Sequence, residues 1–162
     1  MTPSTKRAAI SNMDDLAAHL TLLGVSFLAA TIVPGSSELV LVAMVLQRPT
    51  ELMTLFLVAT VGNTAGSAVN WALGRWFQRF AGRRWFPASQ TQLDKAARWF
   101  NKYGIWSLLL AWLPIVGDAL TVVAGALRVN IYVFVTLVAV GKAARYIAVL
   151  WGSEALRNVV AG

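Results

Sequence analysis

Apolar residues fill four long stretches of this 162-residue chain, and two short polar breaks and one long polar linker separate them. The stretches cover residues 16–46, 52–77, 104–127 and 131–151. An α-helix needs about 20 apolar residues to cross the hydrocarbon core of a bilayer, and each stretch is long enough. The pattern therefore predicts an all-α membrane protein.

Two of the four stretches are interrupted near their middle by helix-breaking residues. Proline removes an amide donor and clashes with the preceding turn, and glycine lowers helix propensity. The limbs at 104–113 and 116–127 would each be about 15 to 18 Å long, which is about half the hydrocarbon thickness. We therefore predict two re-entrant hairpins whose tips meet inside the bundle, since irregular backbone at this depth needs protein or water around it. The predicted tips contain Pro34, Gly35, Ser36, Pro114 and Gly117.

The two halves of the chain share one pattern. Pro34 is followed four residues later by Glu38, and Pro114 is followed four residues later by Asp118. The same offset aligns the basic residues at the two hairpin exits, Arg48 and Arg128. An odd number of crossings in each half would make the repeat inverted. We predict an inverted repeat of two re-entrant helical hairpins, each followed by a transmembrane helix.

A polar linker at 78–103 separates the halves and carries a cluster of basic residues. The net charge is +7, and the positive-inside tendency places this linker in the cytoplasm. Apolar and basic residues fall on different faces of a predicted amphipathic helix at 88–103. Two interpretations stay open: a helix lying on the membrane with its basic face toward anionic headgroups, or a solvated cap on the bundle. The expected partners are membrane lipids, above all anionic ones, and not nucleic acid.

These elements form one predicted membrane domain at 16–156. The predicted segments are an N-terminal tail at 1–15, hairpins at 16–47 and 104–127, transmembrane helices at 52–77 and 131–155, and a C-terminal tail at 157–162. We expect no cleaved signal peptide, because the first apolar stretch exceeds the roughly 7–15 residues of a signal core. The chain has no cysteine and one histidine, so the sequence predicts no cofactor and no metal site.

Charged side chains within the apolar stretches are the candidates for chemistry, because ionisable groups are expensive in hydrocarbon. Glu38 and Asp118 come just after the predicted tips, where a helix N-terminus favours negative charge. Lys142 and Arg145 lie one turn apart on one face of the last helix and can neutralise these acids. A polar stripe on the matching helix of the first half consists of Asn63, Thr64, Ser67 and Asn70.

The same residues also allow a purely structural interpretation. Buried acids and bases can be ion pairs that only fix the register of the helices. Close packing between helices is the expected role of the glycines at 62, 66, 74, 125 and 141. Ser36 and Ser37 have no His or Lys at a suitable spacing, so we assign them to the turn. Since no pair of nucleophile and base appears, we do not expect an enzyme.

Several segments, in order, resemble the YqaA-like branch of the DedA superfamily, whose members are also called SNARE-associated or VTT proteins. They are "FLAATIVPGSSELVL", "GNTAGSAVNWALGR", "ARWFNKYG", "LLLAWLPIVGDALTVVAGALRV" and "GKAARYIAVL". The resemblance covers about residues 20–152. It implies a multi-pass protein of the bacterial inner membrane with two opposed re-entrant hairpins. It also implies movement of lipids between leaflets, including carrier-lipid recycling, and dependence on the proton gradient.

The resemblance carries over at some positions and fails at others. Glu38 matches the acidic position of the first hairpin, and Ala124 and Gly125 match the small pair of the second. Many DedA proteins have arginines where this chain has Ala111 and Gly117. A cation that holds a lipid phosphate must therefore come from Arg128, Lys142 or Arg145.

We therefore predict a flippase-like or scramblase-like transporter that moves a phospholipid or a polyprenyl-phosphate carrier lipid, with proton coupling left open. The predicted substrate or proton pathway consists of Glu38, Asn63, Asn70, Asp118, Arg128, Lys142 and Arg145. One alternative is a proton-coupled transporter or antiporter for a small solute. The other is a scaffold for membrane homeostasis that transports nothing. The sequence leaves homo-oligomerisation open.

Overall fold

Helices make up all the regular structure in the residues that the computed structural model describes, which are 3–31, 35–76, 90–113 and 116–161. This confirms the all-α prediction. The α-helices in these ranges are α1 (Pro3–Ala29), α2 (Ser36–Gln47), α3 (Leu52–Trp76), α4 (Gln90–Tyr103), α5 (Val116–Ala126) and α6 (Ile131–Ala161). Two 3-10 helices, Pro49–Glu51 and Gly104–Leu110, precede α3 and follow α4.

Two helical segments of the described residues are long and apolar enough to cross a membrane, Pro49–Trp76 and Ile131–Glu154. They coincide with the two segments for which transmembrane helices are predicted. By contrast, α2 has 12 residues and α5 has 11, which gives lengths of about 16 to 18 Å against a hydrocarbon core of about 30 Å. Short limbs of this kind are what the hairpin hypothesis requires. Its two tip prolines, Pro34 and Pro114, lie outside the described residues.

Two helices extend into the segments predicted as tails. Helix α1 begins at Pro3, inside the predicted tail at 1–15, and α6 runs to Ala161, inside the predicted tail at 157–162. The predicted boundaries followed hydrophobicity, whereas Ala, Lys and Arg support a helix equally well outside the apolar region. The first limb of the second predicted hairpin is a 3-10 helix, which begins where Gly104 takes a φ of 61° after α4.

Glycines bring the helices into backbone contact. At six of the described glycines an added Cβ would collide with a backbone carbonyl oxygen, and at five of these, all except Gly117, the oxygen belongs to another helix. Gly62 and Gly66 contact α1, Gly74 and Gly125 form the contact between α3 and α5, and Gly141 contacts the 3-10 helix Gly104–Leu110. Small residues allow such close approach without loss of packing. The predicted close-packing role of these glycines is confirmed.

Helix α4 packs on the bundle through its apolar side. Phe100 is buried in a core cluster with residues of α5, α6 and the 3-10 helix Gly104–Leu110. Lys95, Arg98 and Lys102 are exposed on α4. The predicted separation of apolar and basic faces is present, and α4 therefore covers the core while its exposed cations face away from it.

Candidate functional site

The candidate site begins at the first turn of α2. Gly35 precedes this helix with a φ of 96°, a conformation that favours glycine. Glu38 lies in the first turn and is 9% exposed. Its Oε1 is 2.8 Å from Nε of Arg145 on α6, whereas its Oε2 is buried with no hydrogen-bond partner among the described residues. The acid after the first predicted tip is therefore paired with a base of the last helix.

Arg145 also contacts the second predicted hairpin. Its Nη1 donates a hydrogen bond of 2.7 Å to the carbonyl oxygen of Trp112, which follows the 3-10 helix Gly104–Leu110. A single guanidinium on α6 thus connects α2 with the segment that leads to the second predicted tip. Its side chain is 22% exposed, so the charge is only partly withdrawn from the surroundings.

A chain of buried hydrogen bonds runs beside this ion pair. Nζ of Lys142 donates to Oδ1 of Asn63 on α3. Nδ2 of Asn63 donates to the hydroxyl oxygen of Tyr146 at 2.8 Å, and this hydroxyl donates to Oγ of Ser37 at 3.0 Å. All four residues are buried. These hydrogen bonds connect α6, α3 and α2. Each donor lies on the Lys142 side of its bond, and each acceptor lies on the Ser37 side.

Asp118 supplies the second acid. It lies in the first turn of α5, where it interacts electrostatically with Lys142 and Arg145. Glu38 interacts with Lys142 in the same way. We call the whole group the central cluster: Ser37, Glu38, Asn63, Asp118, Lys142, Arg145 and Tyr146. Its two acids and two bases balance in formal charge, which lowers the cost of holding them inside an apolar bundle.

A family profile for the VTT domain matches residues 33–153. The chain belongs to the DedA superfamily of VTT-domain membrane proteins. It is 40% identical over 137 residues to the inner membrane protein YqaA of Escherichia coli K12, covering 85% of this chain and 92% of that protein. It is 35% identical over 133 residues to an uncharacterized protein of Haemophilus influenzae, covering 78% and 81%.

A more distant relative carries a functional name. The chain is 28% identical over 99 residues to undecaprenyl phosphate transporter A of Staphylococcus aureus, covering 56% of this chain and 49% of that protein. No solved structure matches the chain.

This VTT-domain protein has Ala111 and Gly117 at the two positions where the family resemblance implies arginines. A Cβ on Gly117 would collide with the carbonyl oxygen of Ala111. The chain therefore packs these two positions against each other, and a long side chain has no room at position 117. The cations of the central cluster come instead from α6, as Lys142 and Arg145.

Some predicted pathway residues lie outside the central cluster. Nδ2 of Asn70 donates to the carbonyl oxygen of Ala30 at 2.8 Å and so binds the chain just after α1. Arg128 is exposed after the end of α5, has a φ of 57°, and donates its backbone N–H to Gly125 at 2.9 Å. Neither residue contacts the ion pair of Glu38 and Arg145.

Sequence reasoning missed Ser37 and Tyr146. Ser37 was assigned to the turn, but it lies in the first turn of α2 and is fully buried. Tyr146 has one usable signal, because it lies four residues after Lys142 on the same helical face. A phenol within an apolar span usually finds a hydrogen-bond partner when buried. The partner itself, more than a hundred residues away, has no local signature in the sequence.

Proposed function

We propose that this protein moves a lipid with an anionic phosphate headgroup between membrane leaflets, without covalent chemistry. The observation that carries the proposal is Arg145, held between the carboxylate of Glu38 and the carbonyl of Trp112. Arginine stays charged and binds phosphate through two parallel hydrogen bonds. The name of the staphylococcal relative, undecaprenyl phosphate transporter A, supports a lipid-phosphate substrate.

The ion pair suggests how the headgroup is received. In the structure, the carboxylate of Glu38 is paired with the guanidinium of Arg145, which a lipid phosphate would also need. The carboxylate and the phosphate would therefore compete for Arg145. Exchange of one anion for the other keeps Arg145 paired throughout, which avoids the cost of a buried cation without a partner. The displaced carboxylate would remain buried without its counter-charge, and a proton is the simplest replacement. This step offers a link to the proton gradient.

We also propose that the fold is an inverted repeat of two re-entrant hairpins in the bacterial inner membrane, with the basic linker in the cytoplasm. Packing supports the repeat. In each half, the glycine of the long helix contacts the first limb of its own hairpin: Gly62 meets Leu23, and Gly141 meets Leu109. Each long helix also contacts the second limb of the other half, α3 with α5 and α6 with α2. The name of the Escherichia coli relative supports the inner membrane.

Leaflet-resolved lipid movement in proteoliposomes tests the proposal. A polyprenyl phosphate and phosphatidylglycerol serve as anionic lipids and phosphatidylcholine as the zwitterionic one, with and without a proton gradient. Arg145→Gln should slow the anionic lipids by about tenfold or more, because removal of a hydrogen-bonded charge partner costs at least about 2 kcal/mol. Arg145→Lys should restore only part of the rate, since an ammonium lacks the planar fork.

Arg75→Gln is the matched control, because it removes the same charge from an exposed side chain at the end of α3, outside the central cluster and the predicted pathway. It should leave the preference for anionic lipids unchanged. Equal losses for anionic and zwitterionic lipids with Arg145→Gln would remove the phosphate-binding role. No loss for either lipid, in a variant that remains folded, would favour the proton-coupled solute transporter or the scaffold.

A further inference from the structure

Two apolar grooves lie where the start of α3 meets the end of α6. The larger has a volume of about 320 Å³ and is lined by Met53, Phe56, Ile147 and Trp151. The smaller has a volume of about 130 Å³ and is lined by residues of α2 and of the link to α3, including Val42 and Val45. Leu52, Leu150 and Glu154 line both grooves and form the wall between them.

Glu154 is the single charged residue of this wall. It is exposed, and none of the described side chains pairs with it. It comes three residues after the apolar stretch 131–151, so a spanning helix would hold its carboxylate at headgroup level. Trp151, 75% exposed one turn earlier, has the position typical of an interfacial anchor. A carboxylate at this depth attracts a cation and repels a phosphate that has no ammonium beside it.

We propose that the paired grooves bind one two-chain lipid whose headgroup carries a primary ammonium. One acyl chain lies in each groove, the wall of Leu52 and Leu150 separates them, and the ammonium contacts Glu154. The groove face of α6 from Ile147 to Glu154 is about 10 Å long, which accommodates the upper part of an acyl chain. A helix of a second copy, about 10 Å across, fits a divided surface poorly. Binding at these grooves requires that the protein is inserted in a membrane, but it does not require that the protein transports lipid.

Brominated lipids provide the test, because bromine on acyl chains quenches nearby tryptophan fluorescence. The full chain is reconstituted in phosphatidylcholine vesicles that contain either brominated phosphatidylethanolamine or brominated phosphatidylglycerol. Quenching is measured for the unmodified protein and for each glutamate variant, both with Trp151 and with Trp151→Phe. The difference in quenching between the two members of each pair is the contribution of Trp151. We expect phosphatidylethanolamine to bind about two- to fivefold more tightly, the range of one exposed ion pair.

Glu154→Gln should abolish this preference. Glu51→Gln is the matched control, because Glu51 lies next to Leu52 but is already paired with Arg48 and His19. It should leave the preference in place. Equal binding of both lipids to the unmodified protein, or a preference that survives Glu154→Gln, would overturn the proposal. Trp151 protected from both lipids, together with cross-linking between copies at position 53, would assign the surface to a second copy instead.

Discussion

The hydroxyl group of Tyr146 on α6 forms hydrogen bonds with α2 and α3, and so connects the three helices. Its ring is almost fully buried, and its oxygen both accepts from Asn63 and donates to Ser37. A buried polar group that loses its partner costs more than the hydrogen bond contributed, because it has already given up water. The stability of the bundle therefore depends on this one oxygen more than its size suggests.

Tyr146→Phe should lower the thermal stability of the purified protein in detergent while it preserves the packing of the ring. Asn63 and Ser37 would each lose a partner, so we expect a loss of about 0.5–2 kcal/mol in the free energy of unfolding. Tyr132→Phe is the control, since Tyr132 is 80% exposed on the same helix. The same shift in both variants would show that the hydrogen-bonded chain contributes nothing.

The ion pair of Glu38 and Arg145 can be dissected by a double-mutant cycle. We expect Glu38→Gln to abolish lipid movement with the fold retained, and Asp118→Asn to do the same. A pair that only fixed register would behave differently. Removal of one partner would then destabilise the protein by about 3–5 kcal/mol, and the double variant Glu38→Gln/Arg145→Gln would recover both stability and movement. A double variant that is stable but inactive would support the transport role.

Among the helices, the closest approach depends on glycines rather than on interlocking apolar side chains. Gly74 and Gly125 place the backbones of α3 and α5 in direct contact, next to Val122 and Trp71 respectively. Helix α5 carries Asp118 and α3 carries Asn63, so this contact also positions two members of the central cluster relative to each other. Packing and the electrostatics of the central cluster are therefore coupled through one helix interface.

Gly125→Ala should separate α3 from α5, because the new methyl group would overlap the carbonyl oxygen of Trp71. Overpacking of this kind costs about 1–3 kcal/mol, which a thermal unfolding curve in detergent resolves. Gly24→Ala provides the contrast, since nothing lies within 4 Å of a Cβ added there. Alanine favours the helix, so that variant should match or exceed the original stability. Equal stabilities for the two variants would contradict the contact.

For the bundle as a whole, the features that the sequence predicts are those determined by residues close to one another in the chain. Runs of apolar residues predicted the two long helices, and small residues marked the helix contacts. The opposite faces of α4 followed from helical spacing. The parts that sequence missed have causes elsewhere in the chain. Ser37 belongs to the site because the hydroxyl of Tyr146, which is distant in sequence, donates a hydrogen bond to it. Helix α1 starts at Pro3, before the apolar stretch from which the helix was predicted.

The path of the chain through the membrane is the prediction with the widest consequence. If the hairpins are re-entrant, the chain crosses only at α3 and α6, so both termini lie on the side opposite the basic linker. Four full crossings would put the termini and the linker on one side. The chain has no cysteine, so single cysteines introduced at positions 5, 86 and 160 can be labelled in intact cells without background. Because the positive-inside tendency keeps the linker in the cytoplasm, we expect an impermeant maleimide to label positions 5 and 160 from outside and position 86 only after the inner membrane is opened. Cytoplasmic labelling of all three positions would rule out the hairpins, and with them the meeting of two tips at the central cluster.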